Sequence, residues 1–335
     1  MTKVLAIDIG TASLSVAIAQ KERGGKTDVL NVFRYHYDAL SPNNSKLLLN
    51  AISRAFADSH KIEKKISSIR IGFSSPFFLE QLLGGEVKRE NPKVPVSADE
   101  VNNLLLFAEN KLPKNVEAVS CDIVSSKIDG YEVPEPYGYK GEILNINAKI
   151  FAINKSLKNK IEELKSGFFP ASHVYCVSDG DALKRLAHTI SPNRPPAVLD
   201  IGAEVSVFNS EILPFGIRKI ERKIASFFKV GLFEAENMLR KLTFGTLDYV
   251  KERAVNKIIT ENFSEWFGLI KEKSDSVENR GNLFISGAGA DFHVLRNTIN
   301  ATVLSPNVFK EKFASLGVLS GGKDAVLTAL ILTHE

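Results

Sequence analysis

Two stretches of this chain end an apolar run on the same three residues. Val4 to Ala19 reads VLAIDIGTASLSVAIA and Ala197 to Phe208 reads AVLDIGAEVSVF, so Asp-Ile-Gly stands at Asp8 to Gly10 and recurs at Asp200 to Gly202. Each stretch reads as strand, tight turn, strand, and a Ser-Val pair follows both, at 15–16 and 206–207. Glycine at the turn lets the backbone approach a ligand, and the N–H groups of such a turn form an anion-binding nest, to which Thr11 and Ser13 add hydroxyl donors. Asp8 and Asp200 then stand where a hydrated magnesium ion is held against phosphate oxygens. A single copy is no more than a buried hairpin with a polar turn. Two copies in separate halves of one chain predict hairpins that face each other across a cleft and grip one phosphate tail from both sides.

A third motif, Leu283 to Ala290, reads LFISGAGA, a strand running into a turn with Gly287 and Gly289, and the following DFHVLRNTI predicts a helix. That turn lets a flat ring system lie close to the backbone. In this order the motifs resemble the first phosphate loop, second phosphate loop and adenosine motif of the actin-like ATPase superfamily. The resemblance spans the chain. It implies an α/β, actin-like (ribonuclease H-like) two-domain fold with ATP and Mg2+ as cofactors, Asp8 and Asp200 being the carboxylates beside the metal.

Composition fits a soluble protein. With 335 residues, 44% hydrophobic and 24% charged, the chain is long enough for about two domains, each with its own core. No run of about 18 apolar residues predicts a membrane span, and the start, Met-Thr-Lys and then the first strand, does not read as a signal peptide. Cys121 and Cys176 lack metal-ligand spacing and are expected to be buried thiols in a reducing cytoplasm. A net charge of +4 gives no reason to expect a nucleic-acid partner.

Taken in order, Gly24-Gly25-Lys26 turns the second strand into a third, Asp28 to Tyr35; a helix follows from Asn43 to Ala57 and a strand from Ile66 to Phe73. Ser97-Ala98-Asp99-Glu100 is a capping box before VNNLLLFAENKL. Strands are predicted at Ala118 to Ile128 and Glu142 to Ile153, and a helix from Lys155 to Ser166 that stops at Gly167. The expected domains are therefore 1–73, an inserted α+β subdomain 74–167, a return to the first domain over 168–195, and a second domain 196–335 with a small helical subdomain about 217–282. Ser191 to Pro196 reads as the hinge. Helices are also expected at Asp179 to Ile190, Ile217 to Phe228, from Gly231 onward, and Asp324 to Leu332, while Phe263, Trp266, Phe267 and Ile270 fall at helical core spacing.

The segment Pro136-Tyr137-Gly138-Tyr139-Lys140-Gly141-Glu142, leading into a strand of the insertion, resembles the bacterial cell-division protein FtsA family. PilM, a pilus-assembly protein with a similar insertion, is the alternative relative, and a sugar-kinase-type phosphotransferase is the alternative enzyme class. The FtsA resemblance implies a filament-forming adaptor of the divisome. Its partners would be the C-terminal peptide of an FtsZ-like ring protein, bound near Leu232 to Lys273, other divisome proteins, and further copies of itself. FtsA members continue past the last domain helix to a membrane-lying amphipathic helix, whereas here only Thr333-His334-Glu335 follow. A cytoplasmic protein that reaches the inner face of the membrane through a partner is therefore expected.

Residue by residue the match is uneven. Glu236 matches the family's Ala-Glu-x-x-Lys segment at the ribose and base, but Leu239 replaces the lysine and Arg240 follows it. The second loop, usually Asp-x-Gly-Gly-Gly-Thr, reads Asp200-Ile201-Gly202-Ala203-Glu204-Val205. Lost glycines narrow the turn, a hydroxyl is gone, and the Glu204 carboxylate is placed either to repel a γ-phosphate or to orient a water. The expectation is ATP binding with weak ATPase activity at most and no assigned catalytic residue. Arg218, Lys219, Arg222 and Lys223 are expected on a solvated helix face shared with Glu221.

Overall fold

The computed structural model describes residues 2–22, 24–37, 45–209, 211–276, 282–292 and 301–333. The chain forms two compact units, one made of the residues up to Ser75 and from Lys165 onward, the other of Pro76–Leu164. The first unit opens with β1 (Thr2–Ile9), β2 (Ser13–Lys21), β3 (Thr27–His36), α1 (Ser45–Ile62) and β4 (Ser68–Phe73). The second contains β5 (Phe78–Lys88), α2 (Ala98–Glu109), β6 (Val116–Ile128), β7 (Tyr131–Val133) and β8 (Ile143–Asn154), and α3 (Lys155–Phe168) leads out of it. The first unit resumes with β9 (His173–Ser178), α4 (Asp179–Ile190), β10 (Ala197–Ile201), β11 (Ser206–Phe208) and β12 (Glu211–Leu213). It continues through α5 (Ile217–Phe228), α6 (Leu232–Thr243), α7 (Tyr249–Asp275), β13 (Leu283–Ser286), β14 (Thr302–Val303), β15 (Phe313–Ser315) and α8 (Ala325–Leu332).

The sequence repeat is a repeat of sheets. One sheet has the order β15-β3-β2-β1-β4-β9, the other β12-β11-β10-β13-β14. In each, a central strand pairs antiparallel with its hairpin partner on one side and parallel with the next strand on the other. β1 and β10 are those central strands, so Asp8 and Asp200 leave equivalent positions. Asp8 lies opposite Ser15 and Gly72, and Asp200 opposite Val207 and Ser286. Both strands read as continuous apolar runs because a central strand covered on both faces has no solvent side to make polar.

α8 is buried nearly all round, as its sequence AVLTALIL requires. Its C-terminal carbonyls find a donor in the buried Arg70 of β4, whose Nη1 reaches Leu330 O at 2.8 Å and Ile331 O at 3.1 Å. Helix ends buried without partners are costly, and losing a charged donor to such groups costs about 2–3 kcal/mol. Arg70→Met is therefore expected to lower the melting temperature by several degrees, read by differential scanning calorimetry.

In the second unit an antiparallel sheet of order β5-β8-β6-β7 carries α2 on one face. Val101 and Leu104 of α2 join a core with Leu144 and Ile146 of β8. The capping box is present, with Ser97 and Glu100 each bonded to the other's backbone N–H. Arg89, buried, donates to Glu100 Oε1 at 2.7 Å and to the carbonyls of Val94 at 2.9 Å and Gly141 at 3.1 Å. Val96 N also donates to Tyr139 O at 2.8 Å, so the Pro136 to Gly141 segment is an ordered loop.

Several boundaries differ from those expected. β5 was not anticipated, because Gly84-Gly85 and the outward-facing Leu82 break the alternation that marks a strand. α1 runs five residues past Ala57 to Ile62. α3 passes through Gly167 to Phe168 with Leu164 buried on its last turns; a helical glycine costs about 1 kcal/mol, less than the burial of a leucine side chain contributes. Cys121 and Cys176 form no disulfide and are half-buried rather than buried, both lying on strands that are only partly covered. Phe263, Trp266 and Ile270 are buried core residues, with Phe267 packed against them. Asn43 and most of the helix expected after Asp291 lie outside the described residues.

Candidate functional site

Three turns converge in the first unit. In the β1–β2 turn, Gly10 N donates to Ser13 O at 3.0 Å and Tyr37 N donates to Ala12 O at 3.1 Å. The buried Tyr37 hydroxyl also donates to the Gly10 carbonyl. Thr11 is buried and Ser13 half-buried. In the β10–β11 turn, Gly202 N donates to Val205 O at 3.1 Å, while Ile217 N and Arg218 N, opening α5, donate to Gly202 O at 3.1 Å and Ala203 O at 2.8 Å. A Cβ on Gly202 would stand 2.7 Å from Val205 O.

The third turn packs on the second. Ser286 Oγ donates to Asp200 Oδ1 at 2.8 Å, and Gly289 N donates to Ile201 O at 3.0 Å. Gly287 has φ +85°, and a Cβ there would overlap the Ile201 carbonyl, as one on Gly289 would overlap the Ile201 side chain. Sequence reasoning gave these two glycines to a flat ring system. Their evident structural duty is to let this turn close on the end of β10.

At the strand ends Asp8, Asp200 and a third carboxylate, Asp179, interact electrostatically. Burial pushes the Asp8 carboxyl up to about 8, with Asp200 and Asp324 adding to the rise and Arg34 opposing it. Burial raises Asp179 as well, then the Asp8 charge; burial raises Asp200, against the Ser286 hydrogen bond. Arg34 is already ion-paired to Asp324, whose side chain is fully buried. Asp179, first residue of α4, accepts from Ser74 Oγ through one oxygen, while Oδ1 has no hydrogen-bond partner among the described residues. A Cβ on Gly72 would lie 2.6 Å from that oxygen, so the glycine makes room for it.

Buried carboxylates gathered this closely, each pushed up by burial, suit a cation that offsets their mutual repulsion. Among the described residues no group of three or more His, Cys, Asp or Glu side chains forms a metal cage. Mg2+ needs none, because it keeps several waters and takes one or two carboxylates together with substrate phosphates. The donor set of Asp8 and Asp200 fits it. Sequence reasoning missed Asp179: an aspartate at a helix start after Ser178 reads as a capping residue, and only the β4–β9 pairing that brings Ser74 to it shows otherwise.

α5 corrects two further expectations. Its basic residues are not a solvated face: Arg222 Nη2 meets Glu204 Oε1 at 2.5 Å, and Arg218 Nη1 lies 3.1 Å from Glu221 and 3.8 Å from Glu236. Lys219 Nζ donates to Pro214 O at 2.5 Å, leaving Lys223 exposed. Glu221 is buried, which pushes its carboxyl up to about 7 against the opposing pull of Arg218, with Glu236 and Glu204 adding to the rise. Glu204 therefore points to α5 and is neutralised there, rather than standing as a bare charge against a phosphate. Glu236 belongs to the same network. Arg240 is exposed and donates to Asn237 on its own helix.

The paired sheets and the turns at their central strands make this an actin-like ATPase fold. Among solved structures, the PilM-PilN type IV pilus biogenesis complex superposes with a TM-score of 0.62 at 15% identity, covering 98% of this chain and 97% of that one. MreB5 of Spiroplasma citri bound to ADP gives 0.50 at 10% identity over 99% and 96%. The ethanolamine utilization protein EutJ from Carboxydothermus hydrogenoformans gives 0.50 at 9% over 100% and 90%. What is shared at such identities is the fold. No family model matches the chain, and no curated protein matches its sequence. Among the described residues no helix is long and apolar enough to cross a membrane.

Proposed function

We propose that this chain is an actin-like nucleotide-binding adaptor, a scaffold subunit that takes up magnesium-ATP and turns it over slowly. The observation that carries the reading is the convergence of Asp8 and Asp200, at equivalent strand positions, with Asp179 at the start of α4, where the nearby Arg34 is already spent on Asp324. In this reading the first- and second-loop N–H groups, with Thr11 and Ser13, hold phosphates, and Gly10, Gly202, Gly287 and Gly289 keep the backbone close. Glu236 serves the ribose side and Arg240 has no role at the ligand. Bound Mg2+ would neutralise phosphate charge between Asp8 and Asp200. Asp179, whose carboxyl is pushed up by burial and by the Asp8 charge and whose Oδ1 has no hydrogen-bond partner among the described residues, is the group suited to accept a proton from a water or to orient it.

Of the possible settings, a PilM-like role in a cytoplasmic pilus-assembly complex is supported by whole-chain likeness to the PilM-PilN structure, inserted unit included. An FtsA-like divisome role rests on the Pro136 to Gly141 segment, and in that setting the FtsZ-type peptide and filament formation follow. Binding of a PilN-type pilus protein but not of an FtsZ C-terminal peptide, measured by calorimetry, favours the first; the reverse favours the second.

Nucleotide binding is tested through Trp266, the single tryptophan. It is buried against Phe215, 6.4 Å between ring centroids, and Phe215 O accepts from Ser206 Oγ beside the second loop at 2.8 Å. Magnesium-ATP is expected to change its emission with a Kd of roughly 1–100 µM. No emission change and no heat at millimolar magnesium-ATP would overturn the reading.

A further inference from the structure

Sheet edges are where a fold exposes unpaired backbone groups, and proteins keep such edges short, charged, bulged or covered. The outer strands β7, β9, β12, β14 and β15 run 3, 6, 3, 2 and 3 residues. β5 is also an outer strand, and it runs 11 residues. It pairs with β8 over its whole length without a bulge and contains no proline. Among the described residues, the bond made to its backbone beyond β8 is that of Lys111 Nζ to Gly84 O at 2.6 Å. Large apolar side chains also gather at this edge. Leu82 is 66% exposed, Leu106 and Phe107 of α2 are each 55% exposed, and Val87 is 38% exposed. The space beside Gly85 is filled by Leu104 and Phe107, so the apolar lip of α2 overhangs the strand.

We infer that β5 is a self-association edge, at which a second copy of this chain adds its own β5 antiparallel to form one eight-stranded sheet. The charge pattern selects the occupant and the register. A two-fold axis perpendicular to the sheet keeps like faces together, so even-numbered residues meet even-numbered ones. With the axis at Leu83, Glu80 would oppose Glu86, and like charges directly opposite are destabilising. With the axis at Gly84, Glu80 opposes Lys88 of the second copy, twice by symmetry, and Leu82 opposes the aliphatic stem of Glu86. On the other face Gln81 meets Val87 and Leu83 meets Gly85, beside Phe107. Gly84 on the axis contributes no side chain of its own, and the exposed Lys111 amine that bonds its carbonyl gives way to the second copy. The contact is isologous and closes on itself, so it yields a dimer, unlike the repeating head-to-tail contact of a filament. It goes beyond the nucleotide reading and does not depend on it.

Sedimentation of the full chain tests this. A species of twice the 36.9 kDa chain mass is expected at concentrations up to about 0.1 mM. Lys88→Glu should weaken it at least tenfold, and Glu80→Lys together with Lys88→Glu should restore it. Glu80 also pairs with Lys149 at 3.2 Å, so a second variant avoids that position. In Leu82→Cys/Glu86→Cys the two thiols sit four residues apart on one strand, about 13 Å, beyond the reach of an internal disulfide. Mild oxidation should give a covalent dimer, lost on reduction. A wild type that stays monomeric over the whole range overturns the inference. So does a dimer that ignores Lys88→Glu and yields no cross-link at 82 and 86.

Discussion

Replacing Asp8 by asparagine is expected to weaken magnesium-nucleotide binding about a hundredfold, the scale of losing a metal-side carboxylate and its phosphate contacts, and to make the nucleotide-free protein more heat-stable. Both effects come from the same charge. In the folded chain burial, Asp200 and Asp324 raise the Asp8 carboxyl to about 8, whereas an unfolded aspartate titrates near 4. Between those values the native state holds a proton that the unfolded state has released, so stability falls as pH rises through the window and levels off above about 8. Asp179 and Asp200 are shifted the same way and steepen the fall. A nucleotide-free melting temperature that drops by several degrees from pH 6 to pH 8.5 is the expected result. Magnesium-ADP should flatten the slope by bringing a cation to the carboxylates, and Asp8→Asn should flatten it without ligand. A melting temperature that rises with pH over this range would remove the acidic cluster from the account of the site.

What the sequence made legible follows the range of the forces involved. Local signals were readable: the apolar runs of β1 and β10 ended by Asp-Ile-Gly, the Ser97–Glu100 capping box, and α4 and α5 with their bounds, because turn chemistry and helix periodicity are written within a few residues. Asp8 and Asp200 were readable as a pair because the repeat copied them. Asp179 was not, since its neighbours Ser74 and Gly72 are about a hundred residues away along the chain and reach it only through β4–β9 pairing. The α5 network was hidden for another reason. A run of alternating charge on a helix is usually solvated, and here the burial of Glu221, with Glu236 of α6 brought to Arg218, is recorded by no local pattern and turns the same residues into ion pairs. β5 failed on periodicity: a strand that keeps an apolar residue outward at Leu82 looks irregular when read as half-buried.

The slow turnover proposed for this site would have a structural origin that can be reversed. The second loop lacks the small residues and the hydroxyl that its resemblance to other second phosphate loops leads one to expect, and Ala203-Glu204-Val205 is instead fastened to α5, by Arg218 N to Ala203 O at 2.8 Å and by Arg222 to Glu204 at 2.5 Å. A loop held from behind presents fewer donors to a phosphate. Removing one positioned donor from a charge-developing centre typically costs about a hundredfold or more in rate, so returning donors should recover a comparable factor. Glu204→Gly with Val205→Thr releases the Arg222 tie, frees a guanidinium beside the loop and adds a hydroxyl. Steady-state phosphate release from magnesium-ATP is expected to rise by about tenfold to a hundredfold, with affinity changed far less. Adding Asp179→Asn to that double variant should cancel the gain while leaving nucleotide binding in place, because the amide can still accept from Ser74 but cannot take a proton. A wild-type rate already equal to that of the double variant would place the limit elsewhere than in the second loop. A gain that survives Asp179→Asn would take the water-orienting role from Asp179.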